Sequence, residues 1–143
     1  MSHREVHLEL ARRMLAAALR EAQVHEALVS AAVVDGGGHL VCFERMDDAE
    51  IAGPVLAVDK AYTAVAHRSC THDLAPLVQA GGPLAGMTSA DHGRFICFAG
   101  GIPLWSGRRV VGGLGVSGGT AEQDLACARA GARVFDDEAV AQP

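Results

Sequence analysis

Apolar residues at positions 8, 11, 15, 18, 19 and 22 recur at helical spacing. Ahead of them, Ser2 and Glu5 form a capping box, in which each side chain satisfies the other's free backbone N–H. The pattern predicts a first helix over 3–25. The stretch LVSAAVVDGGGHLVCFERM then places two β-rich runs on either side of Asp35-Gly36-Gly37-Gly38, where glycine supplies the positive φ angles of a tight hairpin. A second helix begins at Gly53-Pro54, with Pro54 suited to a first helical turn and Val55, Val58, Tyr62 and Val65 forming one face. Thr71 caps a short third helix through about residue 79, stopped by Gly81-Gly82-Pro83.

The period changes in the second half. GRFICFAGGIPLWSGRRVVGGLGVSG reads as three short strands separated by Gly100-Gly101 and Ser106-Gly107, and Thr120 with Gln123 forms a second capping box for a last helix reaching about Val134. Hairpins and meanders need no parallel crossover except where the second helix joins the halves. The expected fold is therefore α+β: a five-stranded antiparallel sheet flanked by helices, in the order α-ββ-α-α-βββ-α. No long linker, repeat or low-complexity segment interrupts the 143 residues, which are long enough for one core and too short for two ordinary domains, so a single domain over 1–143 is expected.

Composition adds three constraints. Half the residues are hydrophobic but only 4% are aromatic, so the core is built from Ala, Val, Leu and Gly, and burial in a dimer or larger homo-oligomer is expected. The longest uncharged apolar run, Ala27 to Val34, is far shorter than the roughly 20 residues that cross a bilayer. A soluble, cytoplasmic protein without a membrane partner is the expectation. The net charge of −5 without a basic cluster argues against a nucleic-acid partner.

The glycines of VVGGLGVSGGTAEQD raise the possibility of a phosphate cradle, and Gly113-Leu114-Gly115-Val116-Ser117-Gly118 matches G-x-G-x-x-G. The context does not match, because the motif lies on the last strand with no following parallel strand, and no Lys-Ser/Thr follows to make a Walker loop. Close approach of a helix, ligand or subunit is the favoured role, although a capped helix start at Thr120 could attract a carboxylate. Cys42, Cys70, Cys97 and Cys127 lack C-x-x-C spacing; Cys42 and Cys97 lie in apolar runs where a free thiol acts as a small hydrophobe. His67, Cys70 and His72 make an H-x-x-C-x-H pattern that could converge on a soft metal, with at most three ligands in one turn.

Four blocks in order, VVDGGGHLVCFERMD, AVDKAYTAVA, GGIPLWSGRRVVGGLGVSGGTAEQD and ARAGARV, resemble the GlcG/HbpS family, the haem-degrading-domain family that includes the C-terminal domain of PduO-type proteins. The resemblance spans about residues 5–135. It implies a profilin-like domain assembled as a homo-oligomer, with haem or iron as the ligand in some members and a place in catabolic operons for others. His3 and His7 share a face at the start of the first helix, with Ala11, Met14 and Ala18 continuing below His7 as a stripe for a haem edge. The resemblance makes His7, with His3 behind it, the expected haem or iron ligand.

A second constellation carries a rival reading. Lys60 lies on a mostly apolar helix, Arg45 ends a strand and His92 occupies a polar loop; with the Gly100-Gly101 turn these could surround a ligand pocket between the second helix and the sheet. A buried Lys can anchor a carboxylate or act as a base, and the simplest alternative is a salt bridge to Asp47 or Asp35. His39, after the hairpin glycines, is expected to face solvent. Two functions from different classes thus stand: a haem-binding module that senses or degrades its ligand, and a small lyase, isomerase or hydrolase in which Lys60, His92 and Arg45 act on an acidic metabolite.

Overall fold

The structure, a computed structural model, describes residues 5–141. Helix α1 (Leu8–Val24) leads into the hairpin β1 (Ser30–Asp35) and β2 (Leu40–Arg45). Then come α2 (Ala52–His67), the single turn α3 (Thr71–Leu74), strands β3 (Gly101–Ser106) and β4 (Arg109–Ser117), and α4 (Ala121–Ala141). All pairings are antiparallel, and the strand order across the sheet is β2-β1-β4-β3. The fold class is α+β, as expected, with α1 and α4 packed together on one face of the sheet and α2 laid across β4 and β1 on the other.

The sheet has four strands among the described residues, not five. The run Phe95-Ile96-Cys97-Phe98 has strand composition but no strand partner, because hydroxyls on the helices take its backbone groups instead. Thr63 Oγ1 accepts from Ile96 N at 3.0 Å, and Thr71 Oγ1 donates to Phe98 O at 2.6 Å. Arg94 stacks over the Tyr62 ring at 3.7 Å and pairs with Asp59 at 3.0 Å, while Tyr62 donates to Asp91. The segment is thereby pinned along α2.

Thr71 is consequently not a helix cap. Its hydroxyl also accepts from Gly101 N at 2.9 Å, Cys70 holds the N-cap position, and the helical turn gives way to a 3₁₀ turn at Ala75–Leu77. The cap of α1 is also displaced from its expected place, since His7 Nδ1 accepts from Leu10 N at 3.3 Å; Ser2 and His3 lie outside the described residues. The second capping box forms as expected, with Thr120 N donating to Gln123 Oε1 and Gln123 N to Thr120 Oγ1. Helix α4 runs beyond Val134 because Phe135 continues the spacing of Cys127, Ala128 and Ala132 and is fully buried against α1.

The glycine question is answered by what a side chain would meet. A Cβ at Gly115 would lie 2.0 Å from Ala57 O, one at Gly113 would lie 2.5 Å from Ala61 O, and one at Gly101 would lie 2.5 Å from Lys60 O. These residues are cross-strand neighbours or belong to the same β4 face, so the sheet offers α2 a surface without side chains. Small residues make the closest approach to it: α2 docks chiefly through Ala57, Ala61 and Ala64. Of the bulkier residues, Val65 reaches the sheet at Gly113, whereas Val58 and Tyr62 are half-buried and Val55 is 64% exposed.

Candidate functional site

At the end of the sheet where β4 hands over to α4, Lys60 is completely buried. Its Nζ donates to Val116 O at 2.9 Å and to Asp124 Oδ2 at 3.2 Å, and lies 4.9 Å from the Phe98 ring centre. Asp124, almost as buried, also accepts from Gly119 N at 2.8 Å. Burial pushes the Lys60 ammonium below its usual range and the Asp124 carboxyl above its own, because desolvation outweighs their mutual attraction. The pair ties α2 to the start of α4. The expected partner was Asp47 or Asp35; the partner is Asp124.

The other residues of the Lys60 constellation divide. Gly100 and Gly101 do adjoin it, a Cβ at Gly100 falling 2.9 Å from Lys60 Nζ, but both glycines are buried under Lys60 and Thr71 and face no open pocket. Arg45, opposite Ser30 at the end of β2, and His92, in a 3₁₀ turn with φ 56°, are exposed, and neither is among the partners of Lys60. Lys60 Nζ spends its hydrogen bonds inside the core, on Val116 O and Asp124.

His7 stands at the other end of the molecule's chemistry. Its side chain is 54% exposed, and Nε2 lies 4.0 Å from Glu138 Oε1, a carboxylate that also binds Arg13. Because Nδ1 accepts the Leu10 N–H, the neutral ring carries its proton on Nε2, toward Glu138. The stripe expected below it is not a ligand surface: Ala11, Met14 and Ala18 are fully buried between α1, α4 and the sheet.

An open cleft of about 490 Å³ lies beside the start of α4, lined by Glu26, Asp48, Glu50, Gly119 and Thr120. Three carboxylates make it unsuited to an anion, and the N–H groups of Gly119 and Thr120 are already taken by Asp124 and Gln123. The helix start that could have attracted a carboxylate is thus closed by its own side chains. Among the described residues, no helix is long and apolar enough to cross a membrane.

The family model of the haem-degrading HbpS-like proteins matches residues 6–133. The chain belongs to the HbpS-like family. It is 41% identical over 109 residues to the corrinoid adenosyltransferase PduO of Salmonella typhimurium, a match covering 76% of this chain but only 32% of PduO. The solved structure of protein ORFY of Klebsiella pneumoniae superposes with a TM-score of 0.90 at 33% identity, covering 95% of this chain and 94% of that one. The PduOC:haem complex superposes with a TM-score of 0.88 at 35% identity, covering 92% and 95%. The chain spans about a third of PduO's length, so the transferase activity in that protein's name does not follow from the likeness.

Sequence reasoning missed Asp124 because no local pattern marks a carboxylate whose partner lies 64 residues away. The signal available was Lys60 itself, a charge on an alanine-rich helix face that needs a buried counter-charge.

Proposed function

We propose that this chain is a haem-binding protein working as a homo-oligomer, in which His7 would hold the haem iron. The observation that carries the reading is the likeness, over nearly the whole of both chains, to a PduO domain solved with haem bound. Haem, when bound, would supply an iron centre for ligand sensing or, with dioxygen as oxidant, for oxidation of its ring; the chain would supply an imidazole and shield the ring. His7 fits a ligand role in being half exposed and in having Glu138 beside it, a carboxylate able to hold one ring nitrogen while the other faces iron. Ligation competes with the cap of α1, which is worth about 1 kcal/mol, a modest cost for a tight ligand.

Oligomerisation is supported by the outward ridge of α2. Ile51 is 92% exposed and Val55 64% exposed, one helical turn apart, leaving apolar surface that a second copy would cover. Since the residues under His7 belong to the core, the apolar walls of a haem slot would come from such exposed surfaces of adjoining copies. The test is a haemin titration of the parent and of His7→Ala. The parent is expected to develop a sharp, shifted Soret band that saturates, His7→Ala to lose it, and light scattering to show more than one copy per particle. A saturating, shifted Soret band surviving in His7→Ala would remove the assigned ligand, and a monomer would remove the assembly.

A further inference from the structure

The turn between α2 and β3 holds a group of donors that haem binding does not use. Cys70, His72 and Asp73 each present one donor atom within 4.8 Å of the other two. The sequence pattern suggested His67 as the third member; instead His67 packs its ring edgewise on Phe95, 4.4 Å between centres. Asp73 takes its place. His72 Nε2 lies 3.4 Å from Asp73 Oδ1, which is about the separation of two donors on one tetrahedral ion, given metal–nitrogen and metal–oxygen bonds of about 2.0–2.2 Å.

His72 Nε2 is the nitrogen turned toward Asp73, while Nδ1 is buried and has no hydrogen-bond partner. Nor does Cys70 spend its side chain on capping α3, although it occupies the N-cap position. The turn itself is fixed, because buried Thr71, between the two donors, bonds both Phe98 O and Gly101 N. Asp73 is exposed and the other two side chains are half-buried, so an ion here keeps a position open to solvent.

We propose that Cys70, His72 and Asp73 bind a borderline divalent transition ion of the zinc class, with a solvent molecule in the fourth position. Thiolate, imidazole and carboxylate together suit such an ion, and three protein ligands with an open fourth site is the arrangement of zinc centres that exchange ligands. Binding replaces the thiol proton by the metal and releases it to solvent, leaving no redox change. Burial, and then the Asp73 carboxylate, raise the Cys70 thiol above its ordinary range, and the charge of Arg129 acts against that shift. The site stands apart from His7, so it does not rest on the haem reading.

The experiment is a cobalt(II) titration of the full chain, followed by competition with zinc(II). A thiolate-to-cobalt charge-transfer band saturating at one equivalent is expected, displaced by zinc, lost in Cys70→Ser, weakened at least tenfold in His72→Ala and retained in Cys42→Ser. In the parent, zinc should also slow alkylation of Cys70, located by mass spectrometry, at least tenfold while leaving Cys42 unaffected. This readout stands even where Cys70→Ser does not fold. Absence of the band together with unchanged Cys70 alkylation, or a band that persists in folded Cys70→Ser, would overturn the proposal.

Discussion

Replacing Gly115 by alanine adds a single methyl group in the middle of β4, and the structure gives it no room. The new Cβ would sit 2.0 Å from Ala57 O and 2.6 Å from Ala61 N, both backbone atoms of α2 that no rotamer change can move. To restore an ordinary contact of about 3.4 Å, the helix must retreat by about 1.4 Å. That retreat also withdraws Ala57, Ala61 and Ala64 from the glycine face and strains the Lys60–Asp124 bridge. Overpacking costs typically ~1–3 kcal/mol, and with only backbone to give way the upper end, about 3 kcal/mol, is expected. For a chain of this size that is a fall in Tm of roughly 6–12 °C. The assay is urea and thermal unfolding at fixed protein concentration, since assembly adds concentration-dependent stability. Gly36→Ala is the control: its nearest atom would be 3.4 Å away, so a change within about 0.5 kcal/mol is expected. A Gly115→Ala protein as stable as the parent would show that α2 does not rest on a glycine surface.

Further outcomes follow from buried groups. Lys60→Met should destabilise by about 3–5 kcal/mol by stranding Asp124 without its cation, and Lys60→Met combined with Asp124→Leu should recover much of the loss; urea unfolding of the three variants checks this. Burial raises the Cys127 thiol to about 11 from an ordinary 9.0. Its contribution to stability is therefore intact below pH 9 and lost as pH rises through about 11, because the unfolded thiol ionises first. Unfolding followed across that range should show a decline that Cys127→Ala lacks. His7→Ala without haem should cost about 1 kcal/mol through loss of the α1 cap, read as a small fall in Tm.

The element types were mostly legible in the sequence because periodicity records them: the Asp35–Gly38 hairpin and the Thr120–Gln123 box fall where residue spacing put them, and the helices fall in the expected order, though α1 starts later, α3 is a single turn and α4 runs longer than expected. The missing fifth strand marks the limit of that reasoning. Phe95-Ile96-Cys97-Phe98 has strand composition, but the hydroxyls of Thr63 and Thr71 compete for its backbone, and such long-range partners leave no local trace. The same holds for the buried face of α2. Hydrophobicity favoured its valines, whereas a glycine-lined sheet selects alanines, a choice visible only once β3 and β4 are placed opposite the helix. For the site, residue types were legible and groupings were not: Lys60 found Asp124 rather than His92 and Arg45, and His72 found Asp73 rather than His67.

The most direct test of the functional account is equilibrium binding of haemin to the purified full chain, followed by the Soret band and by the mass of the particle in solution. Haem binding predicts a sharp, shifted band that saturates at a fixed ratio of haem to protein in an oligomer. A broad band that grows without saturation, as for free haemin adsorbing to any apolar surface, would contradict it.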